Sequence, residues 1–174
     1  MTRSDRLLKA SILVVQAFRI ANAAAVFLFV AALIATLPGA EWVEAALLRK
    51  YHHSVDPGAV IAFMQVTMLL SLPVGYAIER LLAALRAMLR TVQDGEPFVG
   101  TNAARLRTIG WMLLVVQFAD LALGGVTAVA GMLHIEFLPW QPSFTGWIAV
   151  LIAFVLAQVF ERGAALQADL DGTV

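Results

Sequence analysis

The chain has 174 residues, of which 61% are hydrophobic and 14% are charged, and its mean hydropathy is +0.84. Soluble domains carry about 45–50% apolar and about 25% charged residues, so this composition excludes an ordinary water-soluble enzyme and predicts an integral membrane protein. Twelve Lys and Arg balance twelve Asp and Glu, which argues against direct nucleic-acid binding, and the lack of Cys excludes disulfides and thiolate chemistry.

Four apolar stretches are each long enough to cross a bilayer as a helix, which takes about 20 residues. They are residues 18–37, 59–80, 108–133 and 144–162. A basic N-terminal segment precedes the first stretch, but the apolar run is too long for a signal peptide, so we expect an uncleaved signal anchor. We therefore predict an all-α integral membrane protein, a four-helix bundle made of two hairpins in a single domain over residues 1–174.

Basic residues are distributed unevenly between the two sides of these spans. Ten lie in or near the N-terminal segment, the second link and the C-terminal tail, whereas two lie in the first link and none in the third. Cytoplasmic segments of membrane proteins carry the excess of Lys and Arg. Both termini are therefore expected in the cytoplasm, in a multi-pass protein of the bacterial inner membrane.

The first link, residues 38–58, contains apolar residues at helical spacing from Trp42 to Tyr51. This pattern predicts a short helix that lies on the outer membrane surface. His52 and His53 follow it, and adjacent histidines do not share a helical face. We expect surface histidines near the headgroups, with a pH-sensing or metal-binding role as the alternative.

The second link, residues 81–107, begins with apolar residues at helical spacing and with Arg86 and Arg90 on the opposite face. The second transmembrane helix is therefore expected to extend into the cytoplasm as an amphipathic helix. The pair Asp94-Gly95 should end it, because glycine accepts the left-handed backbone conformation of a helix terminus.

The helix that leads into the third span is expected to begin shortly after Pro97, with Thr101 or Asn102 as its N-cap. Arg105 and Arg107 lie in its first turns, which is the unfavourable end of the helix dipole for a cation. Anionic lipid headgroups are one explanation for them. The alternative is that this basic cluster only sets the orientation in the membrane.

Asp120 lies well inside the third span, on one helical face with Gln117 and Gly124. A carboxylate at that depth should face the bundle interior or a cavity. A weak internal repeat aligns residues 12–16 with residues 113–117 and thereby aligns Arg19 with Asp120. We therefore predict an intramembrane polar pair of Arg19 and Asp120.

Two alternatives to this pair remain open. The Arg19 side chain can reach the inner headgroups instead. Asp120 can be neutral and hydrogen-bonded to Gln65, Thr67 or Ser71 of the second span.

Two segments carry a family resemblance. Residues 94–110 contain G-x-P-F…N…R-L-R-x-I-G, and residues 159–174 contain V-F-x-x-G-x-x-L-Q-x-D-x-D-x-T-V. Together they resemble the domain of unknown function 2975 family, small bacterial membrane proteins with four predicted spans. The chain has Gly172 where leucine is commoner in that family. The resemblance implies the span layout, no established activity, and a gene neighbour that encodes a small helix-turn-helix regulator of the Cro-like class.

We therefore expect a non-enzymatic regulatory or scaffold module without cofactor or metal, which binds or restrains such a cytoplasmic partner and is a possible homo-oligomer. The tail, residues 163–174, should pack as a helix end or add as an edge strand. The alternatives are that both motifs only hold the helix ends together, or that the protein is a small oligomeric transporter or channel that uses Asp120. The candidate face for a partner or for anionic lipid consists of residues on the cytoplasmic side: Arg86, Arg90, Asp94, Gly95, Glu96, Pro97, Phe98, Asn102, Arg105, Arg107, Gln167, Asp169 and Asp171.

Overall fold

The computed structural model describes residues 3–37, 41–51, 56–133 and 140–171. The described residues form five helices: α1 (Arg3–Ala35), α2 (Glu41–Tyr51), α3 (Pro57–Gln93), α4 (Gly100–Met132) and α5 (Phe144–Asp171). The four helices other than α2 are long and apolar enough to cross a membrane. The prediction of an all-helical protein with four helices that could span a membrane is thus confirmed.

The long helices extend beyond the apolar stretches from which they were predicted. α1 begins at Arg3, and α3 continues without a break to Gln93. α5 continues to Asp171, so the tail up to that residue is helical and the edge-strand alternative is wrong for it. Helical hydrogen bonding does not stop where the apolar residues stop, and the ends of these helices are instead set by caps and turns.

Local sequence explains both ends of α3. The Asp56 carboxylate accepts hydrogen bonds from the backbone N–H groups of Gly58 (3.1 Å) and Ala59 (3.3 Å), which otherwise lack helical partners. At the other end Gly95 has a φ of 85°, the left-handed conformation predicted for it. The predicted cap of the next helix is wrong: the N-cap of α4 is Val99, which makes no side-chain hydrogen bond.

Helix packing follows the order of the chain. α1 packs against α3, α3 against α4, and α4 against α5, while α2 contacts α3. α1 and α3 are antiparallel, since Arg19 meets Glu79 whereas the backbone of Thr36 meets Gln65. The same holds for α3 and α4, where Asn102 meets Thr91 and Ala130 packs with Phe63. It holds also for α4 and α5, where Arg107 meets Glu161 and Gln117 meets the residue before α5. The bundle is thus a row of helices with α3 and α4 in the middle.

Small residues dominate the buried contacts between the long helices. Ala77, Ala103, Ala153 and Ala157 are all buried. Large apolar side chains such as Phe27 are mostly exposed, as expected for helices surrounded by lipid. Close backbone approach through small residues is the usual basis of helix packing in membranes, because lipid leaves little hydrophobic driving force between helices.

Candidate functional site

The antiparallel row brings the starts of α1 and α4 and the ends of α3 and α5 to one end of the molecule. Ten of the twelve Lys and Arg lie toward this end, whereas Arg49 and Lys50 belong to α2 near the other. We call this the basic end.

Asn102 is the centre of the polar contacts at the basic end. Its side chain is fully buried, and it is the largest such side chain in the described part of the chain. Nδ2 donates to Thr91 Oγ1 (2.8 Å) and to the Pro97 carbonyl (2.9 Å), and Oδ1 accepts from Arg105 Nη1 (2.8 Å). Both ends of the amide are therefore satisfied, as burial of such a group requires. The amide ties the last turn of α3 and the following turn to the first turns of α4.

The two arginines expected to face lipid or a partner have contacts within the chain. Arg105 Nη1 also donates to the Ala87 carbonyl of α3 (3.3 Å). Arg107 Nη2 donates to Glu161 Oε2 of α5 (2.5 Å), in a pair whose side chains are about half exposed. These contacts give a reason within the protein for basic residues at the start of α4.

Phe98 joins the two motif segments. Its ring lies 5.4 Å from the Phe160 ring, centroid to centroid. Gly163 lies one turn after Phe160, and a Cβ atom added there would be 3.0 Å from Phe98 Cδ1, so a side chain at this position would require the ring to shift. The contact between the segments consists of this aromatic pair and the neighbouring glycine. We call the set formed by Thr91, Pro97, Phe98, Asn102, Arg105, Phe160 and Gly163 the junction.

A groove of about 450 Å³ lies beside the junction, between the turn after α3 and the last turns of α5. It includes Phe98 and Gln167 of the predicted face. Phe98 is 44% exposed, so one edge of its ring packs in the junction while the rest is accessible. The full lining is Glu96, Phe98, Val99, Gly100, Ala164, Gln167 and Ala168.

The other members of the predicted face differ in position. Arg90, Asp94 and Asp169 are exposed near the groove, whereas Arg86 is half-buried. The buried Nε of Arg86 has no hydrogen-bond partner among the described residues. The side chain of Asp171 lies outside the described residues.

The structure does not bring Arg19 and Asp120 together. Arg19 Nε donates to Glu79 Oε1 of α3 (2.9 Å), and Arg19 Nη2 forms an ion pair with the same oxygen. Asp120 Oδ1 instead accepts from Trp140 Nε1 (3.1 Å). The physical reason is the row of helices: α1 packs against α3, so a basic residue of α1 meets the acidic residue of its neighbour before it can reach α4.

The alternative partners of Asp120 are also engaged elsewhere. Gln65 Nε2 donates to the Thr36 carbonyl (2.6 Å). Thr67 and Ser71 donate to carbonyls of their own helix, at 3.0 Å and 2.5 Å. None of these three groups hydrogen-bonds to Asp120 in the part of the chain that the structure describes.

The face of α4 that carries Gln117, Asp120 and Gly124 packs closely against a neighbour. This neighbour is α5 together with the residues that precede it, and not α1. Gln117 Nε2 donates to the Ser143 carbonyl (3.2 Å), and the Gln117 side chain lies against Gly146. A Cβ atom at Gly124 would lie 2.7 Å from the Trp140 ring.

Sequence reasoning missed Glu79, Thr91 and Phe160 as contact residues. Two of them had a usable signal in the sequence: Glu79 is an acidic residue at the end of the second apolar stretch, and Phe160 belongs to the V-F-x-x-G motif. Thr91 had no such signal, because threonine is common on amphipathic helices and does not by itself indicate a contact. His52 and His53 lie outside the described residues, and among those described no group of three or more His, Asp or Glu could hold a metal ion.

Comparison with known proteins adds a family but no activity. No curated protein and no solved structure matches the chain. The model of the family described as "Protein of unknown function (DUF2975)" matches residues 60–174, from the first turn of α3 to the last residue. This range contains both motif segments, the junction and the groove. The match covers about two thirds of the chain, and the chain therefore belongs to the DUF2975 family.

Proposed function

We propose that this protein is a non-enzymatic membrane module whose basic end binds and restrains a cytoplasmic protein, namely a small helix-turn-helix regulator. The observation that carries the proposal is the groove beside the junction. It is an accessible cleft whose walls belong to helices held together by buried hydrogen bonds and an aromatic pair.

The charge distribution supports a cytoplasmic position for the groove. Loops on the cytoplasmic side carry the excess of Lys and Arg, and ten of the twelve such residues lie toward the basic end. The proposal therefore puts the protein in the inner membrane of a bacterium, with both termini in the cytoplasm.

The chemistry of the groove suits a protein partner that binds DNA. Its lining offers the Glu96 carboxylate and the Gln167 amide. Of the exposed charged residues nearby, Asp94 and Asp169 outnumber Arg90, so the rim carries a net negative charge. The exposed part of the Phe98 ring is the kind of aromatic anchor that often dominates binding energy at protein interfaces. A helix-turn-helix protein carries a basic DNA-binding surface. Docking of that surface on an acidic rim would cover it and so keep the regulator from DNA.

Binding of the regulator encoded by the neighbouring gene to the full-length protein in lipid nanodiscs tests the proposal. Ala168 lines the groove, so Ala168→Arg should fill the cleft and place a cation against a basic partner. We expect the dissociation constant, measured by biolayer interferometry, to rise at least about ten-fold, which corresponds to about 1.4 kcal/mol.

Ala165→Arg is the matched control, because Ala165 is an exposed alanine of the same helix that does not line the groove. It adds the same charge and should change the dissociation constant less than about two-fold, or about 0.4 kcal/mol. Failure of the unmodified protein to bind the regulator, or an equal loss in both variants, would contradict the proposal.

A further inference from the structure

A second cavity, of about 290 Å³, lies in the middle part of the row, among α1, α3 and α4. Its walls are mostly apolar and include Phe29 of α1, Leu70 of α3 and Val116 of α4. Its polar groups are the Asp120 carboxylate and the hydroxyls of Thr67 and Ser71. The cavity is thus a small apolar chamber within the membrane-spanning region with three polar groups in its lining.

These three polar groups offer acceptors and no free donor. The hydroxyl hydrogens of Thr67 and Ser71 are used in bonds to the carbonyls of Phe63 and Met68, which leaves oxygen lone pairs for the cavity. An ionised carboxylate is an acceptor as well. A molecule that satisfies this lining must therefore supply donors.

Asp120 adds a preference for positive charge. Among the described residues its one hydrogen-bond donor is Trp140 Nε1, which bonds Oδ1, and no cation lies within ion-pair distance of it. A carboxylate at membrane depth is unfavourable unless it is paired, and such residues commonly mark ligand or ion sites. No group of three or more His, Asp or Glu among the described residues could hold a metal ion, and the apolar walls suit an organic cation better than a bare metal ion.

We propose that this cavity binds an amphipathic primary ammonium ion. The ammonium hydrogens would bond to Asp120 and to the lone pairs of Thr67 and Ser71, while a short alkyl chain would lie against Phe29, Leu70 and Val116. The cavity volume is near the lower end of the range for ligand pockets, about 300 Å³, which fits a small amine. The site is separate from the groove at the basic end and does not depend on the function proposed there.

The test uses the full-length protein in phosphatidylcholine nanodiscs and radiolabelled octylammonium in equilibrium dialysis, with empty nanodiscs subtracted. Asp120→Asn keeps an oxygen that can accept from Trp140 but removes the charge. We expect saturable binding to the unmodified protein and a dissociation constant at least about ten-fold higher in Asp120→Asn, as for loss of a charged hydrogen bond. Uncharged 1-octanol should bind both proteins equally.

Two further variants keep the proposal falsifiable if Asp120→Asn folds poorly. Ala119→Phe fills the cavity and leaves Asp120 itself unchanged. It should abolish binding of both octylammonium and 1-octanol. Glu44→Gln removes an exposed carboxylate of α2 and should bind octylammonium like the unmodified protein. Unchanged octylammonium binding in folded Asp120→Asn or in Ala119→Phe, or equal losses in Glu44→Gln, would overturn the proposal. Regulator binding should be unaffected by Asp120→Asn, so the two proposals fail separately.

Discussion

α1 and the group α3–α5 are held in different ways. Contacts between α1 and α3 consist of the Arg19–Glu79 pair, single hydrogen bonds such as Asn22 Nδ2 to the Gly75 carbonyl (3.0 Å), and close approach at Gly75. Within the group α3–α5, the buried side-chain amide of Asn102 makes three hydrogen bonds, to Thr91, to the Pro97 carbonyl and to Arg105. The family match begins at residue 60 and so contains the second arrangement but neither α1 nor α2. In this chain the motif residues thus join helix ends, whereas α1 is attached through ordinary helix packing.

The largest expected difference between the two regions comes from replacing their asparagines. Asn102→Ala removes three hydrogen bonds at a fully buried position, and each such bond contributes about 0.5–1.5 kcal/mol. Thr91 and Arg105 keep their bonds to the carbonyls of Met88 and Ala87. We expect the free energy of unfolding to fall by about 2–4 kcal/mol, measured by circular dichroism during unfolding in mixed detergent.

Asn22→Ala is the comparison for α1 and removes one half-buried hydrogen bond. Hydrogen bonds between membrane helices contribute about 0.6 kcal/mol on average, so the loss should be small. Equal losses for the two variants would show that the junction is no stronger than the attachment of α1.

A smaller effect is expected from close packing between α1 and α3. A Cβ atom at Gly75 would overlap the side chain of Val26, whose branched side chain has little rotamer freedom. Gly75→Ala should therefore lower the free energy of unfolding by about 1–3 kcal/mol in the same assay. Gly131→Ala is the control, because a Cβ atom there meets nothing within 4 Å. If Gly75→Ala is as stable as that control, α1 is not closely packed at this point.

The smallest effect is expected at the Arg107–Glu161 pair. The two side chains are 50% and 55% exposed, and exposed ion pairs contribute about 0–1 kcal/mol. Arg107→Ala should lower the free energy of unfolding by less than about 1 kcal/mol, and the effect should shrink as salt is added. A loss comparable to that of Asn102→Ala would show that this ion pair stabilises the helix ends as strongly as the buried amide does.

The spans and the end of α3 were predictable because their signals are local. Apolar stretches of sufficient length and a glycine after Asp94 need no knowledge of neighbouring helices. Asn102 shows the limit, since an asparagine near a helix start is equally compatible with a cap and with a buried side chain. The positions of Thr91 and Pro97 next to the Asn102 side chain decide that this residue is buried and is not the N-cap.

The Arg19–Asp120 prediction failed for a related reason. Depth in the membrane can be counted along the sequence, but the neighbour of a helix cannot. Once α3 lies beside α1, Glu79 is the nearer acidic partner. The tail likewise alternates apolar and acidic residues in a way that fits a strand or a helix, and continuity with α5 favours the helix.

The row of helices has a consequence for biosynthesis. Within the described residues, each of α3, α4 and α5 packs against the long helix that the ribosome made immediately before it. The residues 94–99 that join α3 to α4 are few, so these two helices are held side by side as soon as both are inserted. Contacts close in sequence form fastest. The protein can therefore assemble in the order of its synthesis, since each long helix after α1 finds a packing partner that is already in the bilayer.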